Sequence, residues 1–182
     1  NFGIPMGMTA VGLSVELRKN GVRADEDDAQ RWLDETMALY KLVPEYKTQK
    51  AAEAARNGFV RCLSGRIRYI GGIRSRDERI REEAKRFAFS TPIQETAQFI
   101  MKRAEARVWD MLCDYYKAGR WVEPLIQCHD ALTLECEFDT DLADDLNTRM
   151  IHIMTTSQPS DFSVPVETSG EWGENWAEMY PL

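Results

Sequence analysis

Apolar residues recur at helical spacing through several stretches of this chain and alternate with polar ones in a few short runs. TAVGLSVELRKNGV reads as a short helix closed by Asn20-Gly21. Asp27 or Asp28 can cap the next helix, which reaches about Leu39 with Trp32, Leu33, Thr36, Met37 and Tyr40 on one stripe. Pro44 opens a third helix, ended near Arg56 by Asn57-Gly58. GFVRCLSGRIRYIGG holds two strand-like runs around Ser64-Gly65, a hairpin signal. Segment 74–86 is charged and helical in pattern. Thr91-Pro92-Ile93-Gln94 puts proline at a first helical position and fits a capping box. A long helix should start there and run to about Lys117, with Ile93, Ala97, Ile100, Met101, Ala104, Val108, Met111, Leu112 and Tyr115 facing inward and Gly119 at its end. In IQCHDALTLEC, Leu132, Leu134 and Cys136 alternate with Thr133 and Glu135, which predicts a half-buried strand; Leu125, Ile126 and Cys128 suggest another before it. A helix from Thr140 to about Thr156, a strand-like FSVPVE and an aromatic tail, EWGENWAEMY, complete the pattern. Many helices with few, paired strands predict an α+β fold.

Composition changes this picture little. The 182 residues, 43% of them hydrophobic, suffice for one sizeable domain or two small lobes. Mean hydropathy is -0.46. No apolar run approaches the roughly 18 residues of a membrane span, and nothing resembles a secretion signal, so a cytoplasmic protein that is not secreted is expected. Four cysteines without C-x-x-C spacing predict reduced thiols. The chain does not begin with Met, which points to a processed chain or a fragment.

Charge changes it more. The net charge is -7, yet residues 56–86 carry ten Arg or Lys against four acids, a net of +6 that leaves -13 for the rest. A local arginine cluster on an acidic protein suits a phosphate-binding groove. The same segment also reads as a solvated helix face, because RSRDERIREEAKR mixes signs at i,i+4 spacing. His129-Asp130, between two strand-like runs, likewise has two readings: an ordinary Asp turn, or a carboxylate held at a rigid hairpin tip for a metal.

NFGIPMG, GFVRCLSGRIRYI, RFAFSTPIQETAQFIMKRA, IQCHDALTLEC and GEWGENW, in this order, resemble the C-terminal part of family A DNA polymerases, the group of bacterial DNA polymerase I and its phage relatives. NFGIPMG resembles the end of the fingers-helix motif K…NFGxxYG. GFVRCLSGRIRYI resembles G[YF]VxTxxGRxR, and RFAFSTPIQETAQFIMKRA resembles RxxxNxPxQGTAADIxKxA. IQCHDALTLEC resembles the QVHDE palm motif, and GEWGENW the terminal GxNW. The resemblance implies an incomplete right hand, with a fingers portion over 1–85 and a palm portion over 86–182 whose antiparallel hairpin carries the HD motif. It implies template-dependent extension of a DNA primer, in which two Mg2+ ions held by palm aspartates serve the attack of the primer 3′-hydroxyl on a dNTP. By resemblance Asp130 is one metal ligand, and His129 lies beside the primer terminus. Phe2 matches the fingers aromatic next to the incoming sugar, and Met6 stands where the family usually has the Tyr stacked near the templating base. Gln94 matches a minor-groove contact, although a capping box explains it equally well. Arg66, Arg68 and Arg86 match arginines that touch DNA.

The chain also departs from the family. A second catalytic aspartate and the Arg and Lys that grip the triphosphate are missing from these residues, so one carboxylate would have to share its ions with another from a complementary chain or N-terminal segment. The 182 residues alone should therefore not polymerise DNA. Ala131 stands where the family usually has Glu, Ser90 where it has Asn, and Glu95 where it has Gly; with the IPMG turn these look more phage-like than bacterial. A non-catalytic DNA-binding or assembly subunit with the same fold is the alternative.

Overall fold

The computed structural model describes residues 3, 4 and 7–181. They form two compact units, one ending at Glu95 and the other beginning at Thr96. The secondary structure is mostly helical with three two-stranded antiparallel sheets among the described residues, an α+β fold. Among those residues no helix is long and apolar enough to cross a membrane.

In the first unit, helix α1 (Ala10–Lys19) starts where the Thr9 hydroxyl accepts from the Gly12 amide at 3.2 Å, and it stops at Asn20, followed by Gly21 at φ 80°. Helix α2 (Glu26–Leu39) is capped by Asp25, not by Asp27 or Asp28 as the pattern suggested. Asp25 is the residue with extended backbone, so its carboxylate reaches the Asp28 amide at 2.8 Å; the later acids fall in the first turn, favourable to the helix dipole. Ala10, Ala29 and Leu33 pack together with Ile4 and Leu13. The stripe expected on α2 is narrower than its pattern: Trp32, Thr36 and Met37 are half-buried and Tyr40 is exposed.

Helix α3 (Leu42–Asn57) ends at Gly58, whose φ of 80° is left-handed, and leads into strand β1 (Phe59–Arg61). Strand β2 (Ile67–Tyr69) pairs with β1 in the register Phe59↔Tyr69, Val60↔Arg68, Arg61↔Ile67. Ala54, Val60, Ile70 and Ile73 close over Ala84 and Ala88 of helix α4 (Glu78–Lys117).

Helix α4 corrects two expectations. It begins after Asp77, whose carboxylate accepts from the amides of Arg79 and Ile80, so residues 74–77 lie outside it. It also runs unbroken through Pro92, so Thr91 caps nothing and Gln94 sits in a helix interior rather than a capping box. An interior proline removes one ladder hydrogen bond and costs about 3 kcal/mol. Packing on both sides outweighs that local cost. Ala84, Ala88, Phe89 and Pro92 itself are buried before it, and Met101, Ala104, Val108, Met111, Leu112 and Tyr115 after it. Ile93 and Ala97, expected to face inward, are exposed.

In the second unit, Gly119 (φ 75°) ends α4, and strands β3 (Val122–Cys128) and β4 (Ala131–Cys136) form an antiparallel hairpin. A register shift between Pro124 and Ile126 accommodates a proline that has no amide to give the ladder. Asp139 caps helix α5 (Thr140–Thr155), accepting from the Leu142 amide at 3.1 Å. Leu142, Leu146 and Ile153 of α5 meet Val108, Met111, Leu112 and Tyr115 of α4 and Val122 of β3. The expected strand FSVPVE is not formed: residues 162–167 find no pairing partner among the described residues, and Pro165 withholds one donor. A small hairpin, β5 (Glu171–Trp172) with β6 (Tyr180–Pro181), closes the unit instead. Gly173 is required there, because a Cβ would lie 1.8 Å from the Glu178 carbonyl oxygen.

Candidate catalytic hairpin and nucleic-acid surface

The β3–β4 hairpin ends on the pair Cys128↔Ala131, so His129 and Asp130 form a two-residue loop. Such loops need a positive φ at their first position. His129 supplies it at φ 54°, the single non-glycine residue with positive φ among the described residues. Histidine tolerates the left-handed region better than most side chains, but a conformation of this kind costs about 1–3 kcal/mol. The Gln127 side-chain amide donates to the His129 carbonyl at 2.7 Å and pins the turn. Both His129 and Asp130 are exposed, and neither side chain has a hydrogen bond or ion pair with another described residue. Asp130 is thus presented on a rigid tip with its carboxylate uncommitted.

The nearby acids do not join it. Glu135 lies opposite Glu123, five residues along the strand and roughly 17 Å from the tip at strand rise. Glu137 is paired with Arg120, which also binds Asp139. Among the described residues no group of three or more His, Cys, Asp or Glu side chains could hold a metal. The donors present therefore fit one coordination position for a hard divalent cation, which prefers oxygen ligands, and not a complete two-ion site.

In the first unit the structure divides the basic segment. Arg61 is bound to the Gly65 carbonyl, Arg74 to those of Ala55 and Arg56, and Arg81 to that of Ser75, while Lys85 pairs with Glu82. These cations serve the fold. Arg66, Arg68 and Arg86 are exposed and their guanidinium groups bind no other described residue. Gly7 (φ 92°) packs on α4, where a Cβ would lie 3.5 Å from the Phe89 ring and 3.6 Å from the Arg86 side chain. The first motif thereby meets the third at Arg86. Lys47 stands 4.8 Å from the centre of the Phe89 ring, and burial lowers its pKa. Gln94 is exposed. Phe2 and Met6 lie outside the described residues.

One contact had no local signal. The Ser64 hydroxyl, at the tip of the β1–β2 hairpin, donates to Glu95 of α4 at 2.5 Å and accepts from the Arg66 amide at 3.3 Å. The second Glu95 oxygen is buried with no hydrogen-bond partner among the described residues. Burial, reinforced by that carboxylate, pushes the Cys62 thiol up, which keeps it protonated and unreactive. The replacement of the usual Gly by Glu95 was the only sequence clue to this tie.

The model of DNA polymerase family A matches residues 1–178. The chain belongs to DNA polymerase family A. It is 34% identical over 180 residues to DNA polymerase I of Pseudomonas aeruginosa, covering 99% of this chain and 18% of that protein. It is 32% identical over 178 residues to the thermostable DNA polymerase I of Thermus filiformis, covering 98% and 20%. The chain thus spans about a fifth of the length of these relatives. Among solved structures it resembles the polymerase domain of Pol1 from M. smegmatis in complex with DNA primer-template and dNTP, with a TM-score of 0.76 at 26% identity, over 91% of this chain and 27% of that one. Membership in the family accounts for the collinear motifs and for the α+β fold.

Proposed function

We propose that these residues are the C-terminal catalytic part of a template-dependent DNA polymerase, working inside the cell on primer-template DNA and dNTP. The observation that carries this reading is the uncommitted Asp130 carboxylate on a turn held by a left-handed His129, within a chain that matches the family along nearly its whole length. Asp130 supplies one oxygen ligand, and a carboxylate outside these 182 residues supplies the other. Bound Mg2+ would lower the pKa of the primer 3′-hydroxyl and stabilise the departing pyrophosphate. His129 adjoins the primer end, Gln94 reads the minor groove near it, and Arg66, Arg68 and Arg86 neutralise backbone phosphates. Phe2 and Met6 border the incoming nucleotide. The fingers portion covers 1–85 and the palm portion 86–182; without the complementary segment the chain extends no primer.

Ala131, an exposed residue beside the ligand, favours the second reading, a non-catalytic DNA-binding or assembly subunit. Salt dependence tests the DNA contacts common to both. Arg66→Ala or Arg86→Ala should weaken primer-template binding and reduce the slope of log K against log salt by about 0.9 for each phosphate no longer neutralised. An unchanged slope would return these arginines to a solvated surface.

A further inference from the structure

The two links that join the β3–β4 hairpin to its helices, residues 118–121 and 137–139, meet at one side chain. Arg120 follows Gly119, and its amide donates to the Tyr115 carbonyl at 3.0 Å, closing the last turn of α4. Its guanidinium group donates through Nε to Glu137 and through a terminal nitrogen to Asp139. Asp139 divides its carboxylate: one oxygen takes Arg120, and the other accepts from the Leu142 amide as the cap of α5. The Leu142 amide first, and Arg120 with it, hold the Asp139 carboxyl below its ordinary value, so it stays charged at neutral pH. Beside them the Glu137 amide donates to the Trp121 carbonyl at 3.1 Å, just outside the first ladder pair, Val122↔Cys136. The end of α4, the end of β4 and the start of α5 are thus tied at a single guanidinium.

The rest of the hairpin is held on one side only. Residues 123–128 of β3 are exposed, and no third strand pairs with either strand among the described residues. Val122, Leu132, Leu134 and Cys136 pack against the core. A second polar tie, from the Tyr116 hydroxyl to Glu123, is exposed and longer, at 3.3 Å. A two-stranded hairpin is marginally stable by itself, so its direction depends on its base. At strand rise the tip lies roughly 20 Å beyond Val122, and a tilt of about 5° there would move Asp130 by about 1.7 Å. Misplacing a reacting group by about 1 Å can cost on the order of a hundredfold in rate. Arginine suits this place because its planar fork fixes two carboxylates at once, whereas a lysine ammonium is a point charge on a flexible stem.

We propose that Arg120 is a positioning residue for the catalytic turn: by clamping Glu137 and Asp139 it sets the pitch of the β3–β4 hairpin and hence the place of the Asp130 carboxylate. This inference rests on the reading of Asp130 as a metal ligand. Arg120 acts only through the hairpin.

The test is single-turnover primer extension by the full-length protein across a Mg2+ titration, with primer-template affinity and melting temperature measured on the same samples. Arg120→Ala should lower the extension rate at saturating dNTP by at least about tenfold and raise the Mg2+ midpoint severalfold, while primer-template affinity stays within about twofold. Arg120→Lys should recover part of the rate. Glu137→Ala should slow extension by itself but add little in the Arg120→Ala background, because both act through one clamp. A rate and a Mg2+ midpoint within about twofold of wild type in Arg120→Ala would overturn the proposal. So would parallel losses of melting temperature, DNA affinity and rate, which mean a general loss of structure. Asp130→Ala, measured alongside, separates the proposal from the reading beneath it. Extension lost in Asp130→Ala yet kept in Arg120→Ala sinks the clamp alone. Extension that survives Asp130→Ala overturns the metal-ligand reading, and the clamp's role with it.

Discussion

Replacing His129 by glycine separates strain from function at the candidate catalytic turn. His129 holds φ 54°, its side chain is exposed, and that side chain has no partner among the described residues. The Gln127 hydrogen bond goes to the His129 backbone carbonyl and survives the substitution. A left-handed conformation costs an L-residue about 1–2 kcal/mol relative to glycine. Against this, glycine makes the unfolded chain freer by about 0.4–1 kcal/mol. The variant should therefore be as stable as wild type or more so, by up to about 1.5 kcal/mol, with a rise in Tm of at most roughly 5 °C. Urea and thermal melts followed by circular dichroism measure this. Under the proposed placement of His129 beside the primer terminus, primer extension by the full-length protein should move the other way and slow severalfold. A destabilisation above about 1 kcal/mol would mean that the imidazole packs in the fold, and the strain argument would fail. An unaltered extension rate would remove His129 from the site.

Two further predictions concern residues that position the β1–β2 hairpin. Ser64→Ala leaves the Glu95 carboxylate with neither oxygen satisfied, so it should cost about 1–3 kcal/mol, and Glu95→Ala in the same protein should recover most of that; additive effects in a urea double-mutant cycle would refute the tie. Glu53 bridges α3 to β1, accepting from Lys50 at 2.8 Å and from the Arg61 amide at 2.7 Å. Burial alone would raise its pKa, but these hydrogen bonds outweigh burial and hold it below the usual value. Its stabilisation is thus fully present above the unfolded carboxylate pKa of about 4.3 and is lost as pH falls through the lower folded value. Glu53→Gln should flatten the acid limb of stability against pH, and an unchanged limb would count against the bridge.

Local chemistry made much of this fold legible. Gly21, Gly58 and Gly119 stop their helices where left-handed residues are needed, and the alternation in IQCHDALTLEC is a strand in the structure. What stayed hidden was decided by distant partners. Pro92 carries a strong local start signal that the packing of α4 overrides. FSVPVE has a strand's pattern but nothing to pair with, while the four strand residues of the closing hairpin are too few to signal themselves. Charge counting identified the basic segment but could not separate Arg66, Arg68 and Arg86 from Arg61, Arg74 and Arg81, because the carbonyls that occupy the latter come together only in the fold. The Ser64–Glu95 tie joins positions 31 residues apart. The HD turn was the opposite case: its two-residue length was readable, and its left-handed histidine was not.

The role of Asp130 as a metal-holding carboxylate is tested most directly by primer extension under single-turnover conditions with full-length wild-type and Asp130→Ala protein across a Mg2+ titration. Since Asp130 has no partner among the described residues, the melting temperature should not change. A metal ligand secures several kcal/mol of charge stabilisation, so the extension rate should fall by at least about a thousandfold at every Mg2+ concentration. A rate within severalfold of wild type, with the same Mg2+ dependence, would contradict the account.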